Sequence, residues 1–295
     1  MGLDLKFKNK ARVLDIKEVE GVPVLEYPLL RETGEVYHGI STREGGVSEG
    51  MYRSMNLSFS RGDKPECVME NYRRIAKSIG VSVENMVCSA QTHTTNVKVV
   101  TKEDAGKGVI KERAYTDVDG LITNVPGLCL VTFYADCVPL LFVDPVKRVV
   151  ATSHSGWRGT VGKIGKVTVE KMQSEFGCKP EDIYAAIGPS ICQNCYEVSE
   201  DVVEQFKEHF QEVHWNRLFY RKENGKYQLN LWAANEIILT EAGITSDHMA
   251  VTNLCTCCNP EDLFSHRASQ GKRGNLAAFI ALKEKDLSNQ KHCKK

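Results

Sequence analysis

Short apolar runs separated by glycine and proline dominate the middle of the chain, from Asn85 to His154. Runs of this length bounded by turn residues are typical of buried strands. They predict strands in the segments NMVCSAQTH, NVKVVT, VDGLITN, LCLVTFYADC, PLLFVDP and RVVATSH. Outside this region, the same criterion predicts strands in VPVLEYPLL, EVYHGIST, IYAAIGPS, MAVTNL and DLFSHR, and the apolar run GNLAAFIAL closes the domain.

A second pattern, with apolar residues at i, i+3 and i+4, predicts helices. It occurs in PECVMENYRRIAKSIG (residues 65–80), TVGKIGKVTVEKMQSEFG (160–177), SEDVVEQFKEHF (199–210) and LNLWAANEIILTEAGI (229–244). The first has proline near its start and glycine at its end, as helix termini prefer. Between the predicted strand EVYHGIST and this helix, residues 43–63 are rich in glycine and serine and show no period, which predicts a long loop of the kind that tends to be functional.

Strands and helices are mixed without strict βαβ alternation. This order predicts a single α+β domain with a large mixed sheet, or with two packed sheets and helices outside. We expect residues 1–35 to form an N-terminal extension that packs on the domain, residues 36–285 to form the domain, and residues 286–295 to form a polar tail.

Charge and apolar content exclude several classes of protein. The chain has 38 basic and 38 acidic residues, so it lacks the basic excess of a general nucleic-acid binder. No apolar run approaches the ~20 residues needed to span a bilayer, and the charged N-terminus has no secretory signal. Eleven cysteines without such a signal indicate reduced thiols. We therefore expect a cytoplasmic protein that binds neither nucleic acid nor membrane.

Three predicted strands end on a residue that can bind a transition metal: His93 in AQTHTTN, Cys137 in YADCVPLLF and His154 in ATSHSGW. Two histidines and a cysteine are a familiar ligand set for zinc, with a fourth position left for water or substrate. The spacing of the three residues is not that of a zinc finger. A buried cysteine is also often a small hydrophobic residue, and a histidine at a strand end often only makes a hydrogen bond.

The remaining cysteines form two further groups. Cys192 and Cys195 make a C-x-x-C pattern, and Cys255, Cys257 and Cys258 lie in the segment CTCC. Together they could form a structural four-cysteine zinc site, and Cys192 with Cys195 could be a redox pair. The crowding of the second group favours packed thiols over both of these interpretations.

Three arginines follow predicted strands beside small residues: Arg43, Arg158 and Arg267. A guanidinium group suits phosphate or carboxylate geometry, which favours an anionic ligand over simple surface ion pairs. The segment GKRGN near the C-terminus lacks the Gly-Lys-Ser/Thr ending of a P-loop, so it does not predict a nucleotide-binding loop of that class.

Several motifs in order along the chain resemble those of one family. They are TREGGVSEGMYRSMNLSFSRGD, QTHTTNV, DGLITN, ADCVPLLFVDP, ATSHSGWRGTVGKI, AIGPSICQNCYEVSEDV, LNLWAANEIILTEAGI and FSHRASQGKRGNLAAFI. These motifs make the chain similar to the laccase-domain family, whose members are named purine nucleoside phosphorylases and, under an older name, multicopper polyphenol oxidoreductases. The resemblance extends from about Gly39 to Leu282.

This resemblance implies a layered α/β/β/α sandwich with mixed β-sheets, a shape also found in a bacterial toxin deamidase. It implies that His93, Cys137 and His154 bind zinc. The implied enzyme is a purine nucleoside phosphorylase acting on adenosine, inosine, guanosine or methylthioadenosine, with adenosine deaminase as a side activity. Two residues depart from the family pattern, since Thr94 replaces a glycine and His266 replaces a tyrosine. Both departures are expected to affect the choice of substrate.

Two residue groups are expected to serve the reaction. Asp136 is predicted to be catalytic as an acid or base if the backbone bends there, or to hold a neighbouring ligand in place. Phosphate or ribose is expected to bind Arg43 and Arg267, with Ser41 nearby, while the loop carrying Asn56 closes over the nucleoside. We also predict a catalytic role for Arg43.

Three alternatives remain open. Cys137 with His154 could form a thiol–imidazole pair in a cysteine hydrolase or deamidase. Copper could replace zinc in a polyphenol oxidase, although eight scattered histidines are few for a multicopper oxidase. A binding module would take up nucleoside without turnover. Either a monomer or a homodimer is expected, and the sequence does not decide the preferred nucleoside or the balance between phosphorolysis and deamination.

Overall fold

The computed structural model of the protein describes residues 3–285, so the predicted polar tail lies outside the described residues. Short apolar runs form strands throughout this range. The strands are β1 (Asp15–Val19), β2 (Val22–Glu26), β3 (Val36–Ser41), β4 (Met86–Cys88), β5 (Val97–Val99), β6 (Gly120–Thr123), β7 (Cys129–Tyr134), β8 (Val138–Asp144), β9 (Val149–Ser155), β10 (Tyr184–Ile187), β11 (Glu197–Val198), β12 (Phe219–Arg221), β13 (Tyr227–Leu229), β14 (Met249–Val251) and β15 (Leu276–Leu282).

These strands form two six-stranded sheets and one small sheet. The first sheet has the order β1-β2-β3-β15-β7-β4, the second has the order β14-β10-β8-β9-β6-β5, and the small sheet has the order β11-β13-β12. Both large sheets are mixed, because β4 runs parallel to β7, β5 to β6 and β10 to β14 while the other pairs are antiparallel. The predicted strand DLFSHR is wrong, since residues 262–267 form turns.

The helices are α1 (Pro28–Arg31), α2 (Pro65–Ile79), α3 (Trp157–Val161), α4 (Ile164–Phe176), α5 (Glu200–His209), α6 (Trp215–Leu218) and α7 (Leu231–Glu241). Helix α2 confirms the helix predicted from Pro65, and it ends at Gly80, whose φ of 91° suits glycine. The single helix predicted over residues 160–177 is wrong at its start. Lys163 has a φ of 57°, which breaks the segment into α3 and α4.

The two large sheets face each other across an apolar core. Leu130 and Ile280 from the first sheet pack there with Leu141 and Val150 from the second. Helices α4 and α7 cover the outer face of the second sheet, and α2 covers the outer face of the first. This arrangement confirms the layered α/β/β/α sandwich, a single α+β domain with mixed sheets.

The N-terminal segment contributes to the first sheet. Strand β1 pairs with β2, and β2 pairs with β3 through Val24 opposite Ser41. The division of the chain into extension, domain and tail stays a prediction. Among residues 3–285, no helix has both the length and the apolar character needed to cross a bilayer.

Candidate active site

Three chain segments bring the predicted ligand residues together. Cys137 lies directly before β8, and His154 lies in the neighbouring strand β9, opposite Pro139. His93 comes from the loop between β4 and β5, where it adopts a φ of 68°. The imidazole rings of His93 and His154 meet edge to face with centroids 4.9 Å apart. One ligand atom from each of the three residues lies within 4.8 Å of the other two, so the cluster can hold a metal ion.

Gly156 makes this convergence sterically possible. A Cβ atom at this position would lie 2.8 Å from His93 Cδ2 and 3.2 Å from Cys137 Sγ. Any larger residue would therefore push the ring and the thiol apart. Gly156 also precedes α3, so the chain turns from strand to helix directly beside the cluster.

Asp119 orients two of the three ligand residues, and the sequence analysis missed it. Its Oδ1 lies 2.8 Å from His154 Nδ1, which leaves Nε2 of that ring to bind a metal. The same carboxylate accepts hydrogen bonds from the backbone N–H groups of Thr92, His93 and Thr94, at 2.8, 3.1 and 3.1 Å. A carboxylate behind a ligand histidine is typical of metal sites. The available signal was its place in DGLITN, directly before β6.

The cluster strongly perturbs the pKa values of its members. Burial alone would raise the pKa of the Cys137 thiol, but the charge of His154 and hydrogen bonds from both histidines lower it to about 6. Burial likewise favours neutral His154, yet the charge of Cys137 and the hydrogen bond to Asp119 raise the pKa of that imidazole to about 9. Between these two values the bare site favours a thiolate beside an imidazolium, and a thiolate is the form that binds metal.

The cluster lies on the wall of a cavity of about 540 Å³. Three arginines also line the cavity: Arg61, Arg113 and Arg273. The guanidinium of Arg273 is mostly buried, and burial together with the charge of Arg61 lowers its pKa to about 10. Within the described part of the chain, its buried Nε has no hydrogen-bond partner. The cavity therefore combines a metal-binding cluster with a half-buried cation.

Asp136 lies where the backbone bends, as its predicted role required. Its φ is 89°, in the left-handed region that a non-glycine residue rarely adopts. Both carboxylate oxygens are hydrogen-bonded: Oδ1 accepts from Thr256 Oγ1 at 2.6 Å and Oδ2 accepts from the backbone N–H of Arg267 at 2.7 Å. The contacts of Asp136 are those of a residue that positions two loops beside Cys137.

Neither Arg43 nor Arg267, the two arginines predicted to bind phosphate or ribose, lines the cavity that contains the cluster. Arg43 donates from Nε to the carbonyl of Arg53 and from Nη1 to that of Pro260 at 2.6 Å, and it lies over the ring of Phe264. It belongs to a separate surface cavity of about 370 Å³. The catalytic and substrate-binding roles predicted for Arg43 stay predictions, and its placement does not favour them.

Arg267 fixes the polypeptide beside the site. Its Nη1 donates to the carbonyl of Cys195 at 3.1 Å and its Nη2 to that of Glu197 at 3.0 Å. Its neighbour His266, one of the two departures from the family pattern, is exposed and lies near Gly271. The other departure, Thr94, donates its hydroxyl to Asp119 at 3.3 Å.

Ser41 and Asn56 are both buried. The hydroxyl oxygen of Ser41 accepts a hydrogen bond from the backbone N–H of Ala277 at 2.9 Å. The amide oxygen of Asn56 accepts from the backbone N–H of Asn275 at 3.0 Å, and Asn275 lines the cavity. Asn56 thus shapes the cavity from behind, and substrate contact by either residue stays a prediction.

Known proteins resemble this chain in sequence and in fold. Residues 37–283 match the family described as multi-copper polyphenol oxidoreductase laccase. The purine nucleoside phosphorylase YlmD of Bacillus subtilis is 38% identical over 251 residues, which cover 85% of this chain and 90% of that protein. Adenosine deaminase RL5, from an unknown prokaryotic organism, is 36% identical and covers 79% of this chain and 89% of that protein.

Among solved structures, YlmD from Geobacillus stearothermophilus superposes with a TM-score of 0.84 at 34% identity, covering 92% of this chain and 99% of that one. These relatives are named as phosphorylases or as a deaminase, so the copper and oxidoreductase alternative finds no support beyond the wording of the family description. The matched residues include the whole metal-binding cluster and the arginines of the cavity. The chain therefore belongs to the laccase-domain family that its motifs indicate.

Proposed function

We propose that the protein is a zinc-dependent purine nucleoside phosphorylase with adenosine deaminase as a side activity. The observation that carries this proposal is the meeting of two features in one cavity, the His93–Cys137–His154 cluster and the guanidinium groups of Arg61 and Arg273. Neighbouring guanidinium groups suit an inorganic oxyanion. Relatives that carry the names purine nucleoside phosphorylase and adenosine deaminase support the same reaction classes.

The donor set fits zinc. It consists of two imidazoles and a thiol whose pKa is lowered, and Gly156 leaves the space in which the three meet. When bound, zinc would supply a Lewis acid that stabilises developing negative charge. Asp119 would keep His154 in the tautomer that presents Nε2, and it would fix the loop of His93 through three backbone hydrogen bonds.

Arg273 and Arg61 would bind phosphate in this cavity. Arg61 already donates from Nη2 to the carbonyl of Gly271 at 3.0 Å, which holds its guanidinium near that of Arg273. Two guanidinium groups would neutralise the phosphate and orient it toward C1′ of the ribose. An oxygen lone pair of phosphate then forms the C1′–O bond as the C1′–N9 bond breaks, the electron pair of that bond leaves with the base, and the base takes up a proton from dihydrogen phosphate or water. Phe59 and Phe133 offer apolar surface for the purine.

The test is to incubate the purified protein with adenosine, inosine, guanosine and methylthioadenosine, each with and without phosphate. The expected result is free base that appears only with phosphate, together with a smaller yield of inosine from adenosine. Base release at equal rates without phosphate would contradict the phosphorylase assignment. If none of the four nucleosides were converted, the assignment of the protein as an enzyme would be overturned, and only nucleoside binding would remain.

One observation favours a second candidate function, a cysteine hydrolase or deamidase. Asp119, His154 and Cys137 are connected in the order that nucleophilic thiol enzymes use, with the carboxylate on Nδ1 and the thiol on the other side of the ring. Metal content separates the two candidates. Loss of one zinc ion per chain in Cys137→Ala supports the metal site, whereas an unchanged zinc content in that variant, with rapid alkylation of Cys137 in the wild-type protein, supports the nucleophile.

A further inference from the structure

A second group of possible metal ligands lies outside the cavity. The sulfur atoms of four cysteines lie within 4.8 Å of one another, and no carboxylate or histidine belongs to the group, which consists of Cys192, Cys195, Cys255 and Cys258. We propose that these four cysteines bind a structural zinc ion. The proposal is independent of the function proposed above, because it concerns different residues and a site with no role for substrate.

The spacing of the ligands is that of a structural zinc site. Cys192 and Cys195 are separated by two residues, and so are Cys255 and Cys258. Two C-x-x-C pairs brought together from distant parts of the chain are the usual ligand arrangement of zinc ribbons and related sites. The segment CTCC conceals this spacing, because Cys257 is a spacer and not a ligand. The crowding of that segment favours packed thiols when the sequence is taken alone, and the positions of the four sulfur atoms are the reason to propose a metal ion instead.

The sulfur positions fit one metal ion better than they fit disulfides or a simple apolar cluster. Tetrahedral ligands at a Zn–S distance of about 2.3 Å are separated from one another by about 3.8 Å. The sulfur atoms of Cys195 and Cys258 are 3.5 Å apart, far longer than a disulfide bond of about 2.05 Å. Because all four sulfur atoms lie within 4.8 Å of one another, a single ion can reach every one of them.

The surroundings of the cluster are those of negatively charged sulfur. The ammonium group of Lys8 lies 3.1 Å from Cys258 Sγ, and the backbone N–H of Cys192 donates to Cys255 Sγ at 3.2 Å. Four thiolates around one Zn²⁺ carry a net charge of −2, which a lysine and an N–H donor stabilise. Thiols that pack only as hydrophobic groups would gain nothing from an ammonium ion at this distance.

The fold brings Lys8 to this position. The backbone N–H of Lys8 donates to the carbonyl of Asn253 at 2.8 Å, and Phe7 forms a bridge with Leu254. The N-terminal segment therefore lies along the loop that supplies two of the four cysteines. Lys8 closes the cluster on one side, as expected of a structural site that has no place for a substrate.

The site would also steady the active site. Thr256 lies between two of the ligands and donates to Asp136, the residue before Cys137. The carbonyl of Cys195, a third ligand, accepts from Arg267, whose backbone N–H donates to Asp136 as well. A zinc ion that fixes both cysteine loops would thus fix Asp136, and through it the start of β8.

Metal analysis of matched variants tests the proposal. The double variant Cys195→Ser, Cys258→Ser is compared with Cys257→Ser, which removes a half-buried thiol from the same loop but no ligand. The expected result is one zinc ion fewer per chain in the double variant than in the control, whatever the active site binds. Equal zinc contents would overturn the proposal, as would iron in place of zinc.

Wild-type protein provides a second measurement if the double variant fails to fold. Cys195, Cys257 and Cys258 are all half-buried, so a small alkylating agent should reach the three thiols at similar rates if no metal is bound. With zinc bound, we expect alkylation mapped by mass spectrometry to modify Cys257 and to spare the other two until a chelator is added. Equal modification of all three before chelation, or a disulfide among them in freshly purified protein, would contradict a zinc site.

Discussion

The two groups of metal ligands differ in how the fold encloses them. The His93–Cys137–His154 cluster has an exposed member, lines a cavity of about 540 Å³ and draws its ligands from three separate segments. The four-cysteine cluster has two buried members and is closed on one side by Lys8. The first is arranged like a catalytic metal site, which keeps a coordination position open, and the second like a structural site, in which protein ligands fill every position.

Whether a cluster keeps a coordination position open depends on the groups that surround its ligands. Gly156 lets the side chains of His93 and Cys137 approach each other, and both side chains line the cavity. At the four-cysteine cluster, an ammonium group and a backbone N–H take the corresponding positions. Asp136 connects the two regions, because it binds Thr256 in one cysteine loop and precedes Cys137 in the chain. We expect changes in the open cluster to affect catalysis and changes in the four-cysteine cluster to affect stability. Asp136 is the residue that links the two regions.

The largest effect is expected from Cys137→Ser. Loss of the thiolate ligand should remove zinc from the open cluster and lower kcat/KM for phosphorolysis by at least about a thousandfold, because a Lewis acid supplies several kcal/mol of transition-state stabilisation. The zinc of the four-cysteine cluster should remain. Steady-state kinetics and metal analysis on one preparation check both statements. Full activity in the variant would show that the open cluster is not the catalytic site.

The next largest effect is expected from the double variant Cys195→Ser, Cys258→Ser, and it should appear first in stability. A ligand present at a thousand times its Kd stabilises the folded state by about 4 kcal/mol, which corresponds to a fall in Tm of roughly 7 °C for a domain of this size when that ligand is lost. Calorimetry checks this, with Cys257→Ser as the control. A Tm equal to that of the control would mean that the cluster adds no stability.

A smaller effect is expected from Arg273→Ala. Hydrogen bonds to a charged group contribute about 1.5–3 kcal/mol, so the KM for phosphate should rise roughly 10- to 100-fold with less change in the KM for nucleoside. Arg43→Ala is the matched control, because Arg43 lies in the other cavity and donates to two carbonyls. If Arg43→Ala raises the phosphate KM and Arg273→Ala does not, phosphate binds at Arg43 and not in the cavity of the open cluster.

A comparable effect on the metal is expected from Asp119→Asn. An amide in place of the carboxylate would weaken the contact with His154 Nδ1 and would lose at least one of the backbone hydrogen bonds. Residues in this position typically contribute a factor of 10–100 to metal affinity. Competition with a chelator measures this affinity. Thr94→Val should change it little, because it removes the two 3.3 Å hydroxyl contacts with Asp119 and Asn96 but keeps the backbone hydrogen bond of Thr94 to Asp119. Unchanged zinc affinity in Asp119→Asn would assign that carboxylate to loop structure alone.

Strands and ligands were predictable where the information is local. Apolar runs bounded by turn residues identified most of the strands, and the structure brings His93, Cys137 and His154 together, although only His154 lies within a strand. The pattern of apolar residues did not predict the break between α3 and α4, because the left-handed φ of Lys163 causes that break. It also failed at DLFSHR, a short alternating segment that the structure uses as a turn.

The polar residues around the site were harder to predict, because their roles depend on contacts distant in sequence. Asp119 is a single acidic residue until the fold brings it to His154, 35 residues away. Arg43 and Arg267 are arginines that follow predicted strands, and a guanidinium group suits phosphate. In the structure, however, loop carbonyls accept their hydrogen bonds. Arg273 lies in GKRGN, a segment that matches no phosphate-loop pattern, and only its burial beside the cavity marks it out.

The smallest effect, and the finest test of the contrast between the clusters, is expected from Lys8→Met. Methionine keeps much of the length of the side chain and removes the charge that lies 3.1 Å from Cys258 Sγ. Loss of this ammonium group should weaken zinc binding at the four-cysteine cluster by about tenfold and leave zinc binding at the open cluster unchanged. Lys10→Met is the control, since Lys10 is an exposed neighbour in the same segment. Chelator competition resolves the two clusters if Cys137→Ser is used as background. A tenfold loss in both lysine variants would point to general surface charge, whereas a loss confined to Lys8→Met would assign to this one ammonium group the closure that distinguishes the four-cysteine cluster from the open one.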